Sequence, residues 1–183
     1  MTLRALTPLA LVALLGACAG RESPRTDSSA PVAPVVVATV SERGIGALRA
    51  GMTVAQARAA LGSFNVAKGA ESSGCGYATS AALPAGVRVM VENGVIGRVD
   101  VDTTSVPTAE GARVGDSEES VRALYGQRLA TSPHKYTDGH YLTVRASAPA
   151  DTIHRIIFEA AKGRVVNYRA GQLPQVGYVE RCG

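Results

Sequence analysis

The chain has 183 residues, of which 46% are apolar, 19% charged and 4% aromatic. This composition is typical of one or two small globular domains and excludes both a polytopic membrane protein and a chain that is disordered throughout. The formal net charge of +4 is small and dispersed along the chain, so nucleic acid is not an expected partner.

Residues 1–17 have the organisation of a signal peptide. Arg4 supplies a positive charge, an apolar segment runs from Ala5 to Leu15, and small residues precede Cys18. As a helix this apolar segment would extend about 16 Å, roughly half the thickness of a hydrocarbon core, so it is too short to span a membrane.

The sequence LGAC at positions 15–18 resembles the lipobox of bacterial lipoproteins. This resemblance implies cleavage before Cys18, attachment of a diacylglycerol to its sulfur, and a lipid anchor in the membrane. Ala19 follows instead of the Asp that holds such proteins at the inner membrane, which implies a place at the outer membrane, facing the periplasm. The alternative is an ordinary cleaved signal peptide in which Cys18 has no role.

Residues 18–43 are rich in Ala, Ser, Pro and Val and show no helical periodicity. This composition predicts a lipidated, flexible tether with a reach of roughly 25 to 30 Å. Val35–Val37 within it could alternatively begin an edge strand.

Two segments of the chain align with each other at a fixed spacing. Residues 49–62 (RAGMTVAQARAALG) and 113–126 (RVGDSEESVRALYG) are 64 residues apart, as are Tyr77 and Tyr141. This self-similarity predicts two tandem repeats, residues 44–105 and residues 109–171.

Each repeat is predicted to begin with a short helix. Thr53 and Gln56 have the spacing of a capping box, and Ser117 is placed to cap the second helix. Gly62 and Gly126 are predicted to follow the last helical residues. The apolar spacing predicts one buried stripe per helix, formed by Ala57, Ala60 and Leu61 in the first and by Val121, Leu124 and Tyr125 in the second.

About three antiparallel strands are predicted after each helix. In the first repeat, alternating valines at 87–91 and the segment 96–101 flank a hairpin turn at Asn93–Gly94. In the second, strands are predicted at 140–145, 153–159 and 165–169, with a turn at Lys162–Gly163. The predicted fold class is therefore α+β, with two tandem repeats that each pack a short helix on a small antiparallel sheet.

The helix signature GMT at 51–53, with LG at 61–62, resembles that of the BamE/SmpA outer-membrane lipoproteins. The tandem duplication is similar to that of the β-lactamase inhibitory protein family, which pairs two helix-plus-sheet repeats. The resemblance covers the two short helices and, loosely, the strand order. It implies a binding surface and transfers no functional residue beyond the glycines and caps.

With Cys18 lipidated, Cys75 and Cys182 remain as an even pair in an oxidising compartment. They are predicted to form a disulfide that ties the C-terminal tail, residues 172–183, back to the first repeat. Two free thiols or an intermolecular bridge are the alternatives.

The main concentration of polar and aromatic residues lies at 133–141. Tyrosine is amphipathic and histidine can change its charge near neutral pH, so this segment is a candidate contact patch for a protein or a glycan. Its members are His134, Lys135, Tyr136, His140 and Tyr141. The alternative interpretation is a turn at Asp138–Gly139 that leads into a strand, with Tyr141 packed as Tyr77 is.

The sequence contains no recognised motif for a nucleophile, a metal or a cofactor, so neither a cofactor nor a metal is expected. Two glutamates beside the predicted hairpin turns, Glu92 and Glu159, are expected to be solvated or paired with Arg98 and Arg164. The sequence thus favours a non-enzymatic bacterial envelope lipoprotein that docks a protein partner in outer-membrane assembly or maintenance. A periplasmic inhibitor or glycan-binding module is the alternative, and an enzyme is a third hypothesis.

Overall fold

The computed structural model describes residues 38–182, and within them the fold is α+β with antiparallel sheets, as predicted. The helices are α1 (Val54–Leu61) and α2 (Glu118–Tyr125), and short 3₁₀ turns lie at Gly126–Arg128 and Gln175–Gly177. A three-stranded sheet is formed by β1 (Val40–Ser41), β2 (Gly44–Ile45) and β3 (Leu48–Arg49). The larger sheet contains β4 (Asn65–Val66), β5 (Cys75–Thr79), β6 (Val87–Glu92), β7 (Val95–Val101), β8 (Leu129–Pro133), β9 (His140–Arg145), β10 (His154–Ala161) and β11 (Arg164–Gln172).

The larger sheet has the strand order β4-β5-β6-β7-β11-β10-β9-β8, with every neighbouring pair antiparallel. Strands β4–β7 follow α1 and strands β8–β11 follow α2, and the two groups meet where Val101 of β7 lies opposite Tyr168 of β11. The prediction of a separate sheet of about three strands after each helix is therefore wrong. Pairing β7 with β11 satisfies backbone groups that two separate sheets would leave at open edges.

Both helices begin with the predicted caps. The Gln56 N–H donates to the Thr53 hydroxyl at 3.2 Å, and the Thr53 N–H donates to the Gln56 side chain at 2.9 Å, which completes a capping box. The Ser120 N–H donates to the Ser117 hydroxyl at 3.1 Å. Each helix is followed by the predicted glycine, with a φ of 76° after α1 and 52° after α2.

The buried faces of the helices differ from the predicted stripes. Ala60 is exposed and Leu124 is 44% exposed, so both are wrong as core positions. The first turn of each helix is bonded to a hairpin turn of the larger sheet, through the Val54 N–H to the Gly94 carbonyl and the Glu118 N–H to the Gly163 carbonyl. These bonds fix the rotation of the helices, and the buried positions are Val54, Ala57, Val121 and Tyr125.

The two predicted hairpin turns are confirmed. Asn93 and Gly94 have φ values of 52° and 77°, and Lys162 and Gly163 have φ values of 51° and 75°. Positive φ at both central residues is the signature of a type I′ turn, whose twist matches that of the flanking strands. Strands β6, β7, β9, β10 and β11 lie where the sequence predicts them. The other six strands have two to five residues, too few for a clear alternation.

Val40, near the start of the described residues, belongs to the core, in contrast to the predicted tether. Val40 is 0% exposed and lies opposite Ile45 in the small sheet and beside Thr108. Burial of this side chain makes residues 40–43 part of the fold and ends any tether before them. The predicted signal peptide, Cys18, tether residues 18–37 with the alternative strand at Val35–Val37, and Gly183 lie outside the described residues.

The two faces of the larger sheet differ in composition. One face packs against the helices and forms the main core, in which the rings of Phe158 and Tyr168 lie 5.3 Å apart. The opposite face carries the buried side chains of Arg98, Asp100 and Arg169. Residues 173–182, here called the tail, cover this charged face.

Charged contacts attach the loop between β9 and β10 to the N-terminal segment. Asp151 accepts a hydrogen bond from the His154 backbone N–H at 3.2 Å, lies 2.9 Å from Nδ1 of the same residue, and forms an ion pair with Arg43. Burial by itself raises the pKa of Asp151, but the contacts with His154 and Arg43 outweigh it and lower the pKa from 3.8 to about 2. The carboxylate thus stabilises the folded state in its charged form.

Replacing Asp151 by asparagine is expected to lower the free energy of unfolding near neutral pH by about 1 to 3 kcal/mol, because charge-assisted hydrogen bonds are lost. The native pKa lies below the ordinary value, so this stabilisation is present above pH 3.8 and is lost as the pH falls through about 2. Urea unfolding of the wild type and of Asp151→Asn at about pH 7, 4 and 3 should show that the difference between their free energies of unfolding becomes smaller as the pH falls. A difference that does not change with pH would contradict the ionised carboxylate as its cause.

Candidate functional site

Three of the five predicted patch residues lie in the loop between β8 and β9. The His134 N–H donates to the Gly139 carbonyl at 2.9 Å and closes this loop. Tyr136 is 59% exposed, its hydroxyl donates to Oε1 of Glu180 at 2.6 Å, and the Lys135 ammonium lies 4.9 Å from the centroid of its ring. The loop is therefore attached to the tail, and Tyr136 is fixed although it is exposed.

His140 lies apart from the other patch residues, on the opposite face of the sheet. Successive side chains of a strand point to opposite faces, so His140 and Tyr141 cannot share one surface. Nδ1 of His140 lies 2.9 Å from Oε1 of Glu118 in α2, and this hydrogen bond is the main cause that keeps the pKa of Glu118 below its ordinary value. The assignment of His140 to the patch is wrong, and the residue instead connects α2 to β9.

Tyr141 is 9% exposed and is likewise withdrawn from the accessible patch. Its ring stacks on His134, with the ring centroids 4.4 Å apart, and the Arg169 guanidinium carbon lies 5.7 Å from its centroid. It packs with Ile157 and Val176 beneath the tail. Tyr141 therefore has the packing role of the alternative interpretation, and it supports the loop from below.

Replacing Tyr141 by phenylalanine is expected to leave the free energy of unfolding unchanged or to raise it by up to about 1 kcal/mol. The Tyr141 hydroxyl is buried and has no hydrogen-bond partner among residues 38–182, so it carries a desolvation cost without a bond. Tyr125→Phe is the matched control, because the Tyr125 hydroxyl donates to Oγ1 of Thr108 at 2.7 Å.

Loss of the Tyr125 hydroxyl is expected to cost about 1 to 2 kcal/mol in the same urea titration. If Tyr141→Phe cost as much as Tyr125→Phe, the Tyr141 hydroxyl would have a bonded partner in solution.

Beneath the tail, Arg98 is 1% exposed, and its guanidinium is bonded on several sides. Nε donates to Oδ2 of Asp100 at 3.1 Å, and Nη2 donates to the Tyr77 hydroxyl at 3.2 Å. Nη1 donates to two tail carbonyls, that of Gln175 at 3.0 Å and that of Tyr178 at 2.7 Å. Arg98 thus connects the charged face of the sheet to the backbone of the tail.

Arg169 makes the corresponding contact from β11. Its Nε donates to the Val176 carbonyl at 2.7 Å, and its Nη1 is bonded to Glu159. Burial by itself raises the pKa of Glu159, but a hydrogen bond from Asn167 and the charge of Arg169 lower it below its ordinary value. Asn167 and Arg169 therefore favour the charged form of the Glu159 carboxylate.

The ion pairs expected for the two glutamates are wrong. Glu159 pairs with Arg169 instead of Arg164, and Glu92 accepts a hydrogen bond from the Gln175 side chain at 2.7 Å instead of pairing with Arg98. In the β10–β11 register, Asn167 lies opposite Glu159, whereas Arg164 lies opposite Ala161 at the end of β10.

The tail ends beside β5, at the predicted cysteine pair. The Cα atoms of Cys75 and Cys182 are 5.3 Å apart and the two sulfurs are at disulfide distance, as predicted. Gly97 permits the close approach of the tail to the sheet, because a Cβ at this position would lie 2.6 Å from Cγ of Gln175. The tail is thus held at Gly97, at the two arginines and at its end.

A cavity of about 500 Å³ lies between the end of the tail and the sheet. We call it the tail groove, and it is lined by Cys75, Met90, Glu92, Lys135 and residues 178–182. Charges of both signs, a disulfide and the ring of Tyr178 meet in it. Tyr136 stands at its rim through its hydrogen bond to Glu180. Such a mixed lining suits contact with the polar and aromatic groups of a partner.

Sequence reasoning missed the buried charged face. Arg98 and Asp100 alternate with the core residues Val99 and Val101, which predicts a half-buried strand with a solvated outer face. The alternation correctly separates the two faces, but it carries no information about the tail that covers the polar one.

Within residues 38–182, no group of three His, Cys, Asp or Glu side chains is placed to hold a metal ion. Across the same part of the chain, no helix is both long enough and apolar enough to cross a membrane.

Comparison with known proteins gives a distant structural likeness. No protein-family model matches the chain, and no curated protein matches it. Among solved structures, the chain is similar to the crystal structure of the uncharacterized protein yfeY from Escherichia coli, with a TM-score of 0.41 and 13% sequence identity over 73% of this chain and 99% of that chain. The functional proposal therefore rests on the residues of this chain.

Proposed function

We propose that the protein is a non-enzymatic lipoprotein of the bacterial envelope that docks a protein partner at the outer membrane, in its assembly or maintenance. Cleavage before Cys18 and lipidation of this residue would provide the anchor. The docking surface would be the tail groove together with Tyr136.

The observation that carries this proposal is the fixed, exposed ring of Tyr136. The side chain is 59% exposed, yet its hydroxyl and its ring are both engaged, by Glu180 and by Lys135. An exposed aromatic side chain that is already fixed loses little conformational freedom on binding, and such residues dominate the energetics of protein interfaces. Tyr178, which is 37% exposed, extends the same surface.

The proposal includes descent of the two halves of the fold from one duplicated unit. The cap of each helix lies beside the strand that follows a type I′ turn, in the bridges between Thr53 and Val95 and between Ser117 and Arg164. The strand order of the larger sheet is also symmetric about the β7–β11 pair. Each unit would then comprise one helix and four strands, and their side-by-side pairing supports a docking module of the kind that the sequence resemblance implies.

The test is site-specific photocrosslinking in the native envelope. A photoreactive residue at position 136 of the full-length chain is expected to capture an integral outer-membrane protein, and Cys18→Ser is expected to abolish the product because the anchor is lost. The matched control is the same residue at Ala59, an exposed position on α1, where no product with that protein is expected.

Capture of the same protein from both positions would contradict the tail groove as the docking surface. If a soluble enzyme or a glycan fragment is captured both by the wild type and by the Cys18→Ser variant, the result supports the alternative function, a periplasmic inhibitor or a glycan-binding module. In co-purification, Tyr136→Ala is expected to lower the yield of the partner by roughly tenfold or more, whereas Ile153→Ala, which truncates another exposed apolar side chain, should leave it unchanged.

A further inference from the structure

A second cavity, of about 460 Å³, lies beside the loop between β9 and β10 and is lined by three arginines. Arg145 ends β9, Arg155 lies near the start of β10, and Arg128 ends the 3₁₀ turn that follows α2. Among the other lining residues only Asp151 is acidic. The cavity is distinct in place and in charge from the tail groove.

Arg145 and Arg155 lie directly opposite each other in the β9–β10 register. Like charges at directly paired positions destabilise a sheet, because their side chains project side by side. Arg145 donates to the Gln127 carbonyl at 3.1 Å, and Arg155 donates to the carbonyls of Thr152 and His154 at 2.8 and 2.7 Å. In the described part of the chain, neither guanidinium has a carboxylate within ion-pair distance.

The carboxylates near the cavity are engaged elsewhere. Asp151 is bonded to His154 and Arg43, and Glu110 pairs with Arg128 at 2.6 Å. Glu42 accepts hydrogen bonds from the backbone N–H and the hydroxyl of Ser147, at 2.9 and 2.8 Å. Among residues 38–182, the positive charges of Arg145 and Arg155 are therefore not balanced by a direct partner.

We propose that this cavity binds a phosphate group, held by Arg145 and Arg155 with Arg128 at its side. The planar fork of a guanidinium matches two phosphate oxygens, and an anion between two opposed guanidinium groups removes their repulsion. The cavity is larger than a single phosphate, so it leaves space for the group that carries it. The phosphate could be free or part of a lipid headgroup, and the site does not depend on the proposed docking function.

The first arm of the test uses inorganic phosphate and the full-length chain with Cys18→Ser, which carries no lipid. Saturable binding is expected by calorimetry, together with a rise in Tm as phosphate is added. Arg145→Gln with Arg155→Gln is expected to weaken the affinity by roughly tenfold or more, because charge-assisted hydrogen bonds are lost. The matched control is Arg58→Gln with Arg88→Gln, which removes the same charge from ion pairs with Glu71 and Asp102 and should change the affinity less than about twofold.

The second arm uses phosphatidylcholine vesicles with and without phosphatidylglycerol. Vesicle binding that requires phosphatidylglycerol and is lost in the cavity variant would identify a lipid headgroup as the source of the phosphate. Binding of inorganic phosphate without vesicle binding would identify a free phosphate compound.

The proposal is overturned if the wild-type chain binds in neither arm, or if the cavity variant and its control lose the same affinity, which would indicate non-specific charge attraction. Without phosphate, the cavity variant is expected to keep a Tm close to that of the wild type, because removal of the like charges offsets the loss of the hydrogen bonds to the Gln127, Thr152 and His154 carbonyls. If the variant unfolds, Arg145→Lys with Arg155→Lys keeps the charge and removes the planar fork, and it should still weaken phosphate binding several-fold.

Discussion

Replacing Arg98 by methionine is expected to lower the free energy of unfolding by about 3 to 5 kcal/mol, because removal of one partner leaves the other charge buried and uncompensated. That partner is Asp100, which is 6% exposed. The same substitution removes the bonds to the carbonyls of Gln175 and Tyr178 and so releases part of the tail from the sheet. Urea unfolding at neutral pH measures the loss.

Arg88→Met is the matched control for this experiment. Arg88 lies on the neighbouring strand, directly opposite Asp100, and its ion pair with Asp102 at 2.7 Å is partly exposed. Exposed pairs contribute about 0 to 1 kcal/mol, so a small loss is expected. Equal losses for Arg88→Met and Arg98→Met would contradict the assignment of a buried charge pair beneath the tail.

A second comparison separates the cost of the uncompensated carboxylate from that of the lost tail contacts. The double variant Arg98→Met with Asp100→Leu is expected to be more stable than Arg98→Met alone, since it removes the buried charge as well. A double variant less stable than the single one would show that Asp100 has other essential partners.

Replacing Cys75 and Cys182 by alanine is expected to lower the free energy of unfolding by about 2 to 5 kcal/mol. The disulfide closes a loop across 107 residues of sequence, so it removes much conformational freedom from the unfolded chain. The chain also has two Phe and no Trp, and its core of small aliphatic residues gains little from each contact. Urea unfolding in a Cys18→Ser background measures this effect, and wild-type protein under reducing conditions should give the same loss.

The disulfide and Arg98 hold the same segment, so the effects of their removal are expected not to add. Once the Cys75–Cys182 bond is absent, the tail can leave, and the contacts of Arg98 with Gln175 and Tyr178 contribute less. The combined variant should therefore be more stable than the sum of the separate losses predicts. Strict additivity would mean that the tail stays in place without its disulfide.

Local features of the fold follow well from the sequence. The capping box at Thr53, the Ser117 cap and the turns at Asn93–Gly94 and Lys162–Gly163 each depend on residues a few positions apart. The hydrogen bonds and φ angles involved are local, so the residue types there limit the backbone directly.

The candidate sites are much harder to predict from the sequence. The alternation of β9 already places His140 and Tyr141 on opposite faces, so the prediction of a single patch conflicts with the strand predicted at 140–145. The arginines of the second cavity are different, because nothing in the local sequence indicates that Arg145 and Arg155 become opposed across β9 and β10.

The sequence predicts the α+β class, the helix caps, the main hairpins and, over the alternatives of free thiols or an intermolecular bridge, the pairing of Cys75 with Cys182. The pairing of β7 with β11, the covering of Arg98 and Arg169 by the tail, and the choice of arginine that pairs with Glu159 emerge only in the folded chain. The range of the interactions explains this division. Caps and turns are fixed by neighbours in the chain, whereas strand register and the burial of a polar face depend on contacts between segments far apart in sequence, which compete with one another until the whole sheet has formed.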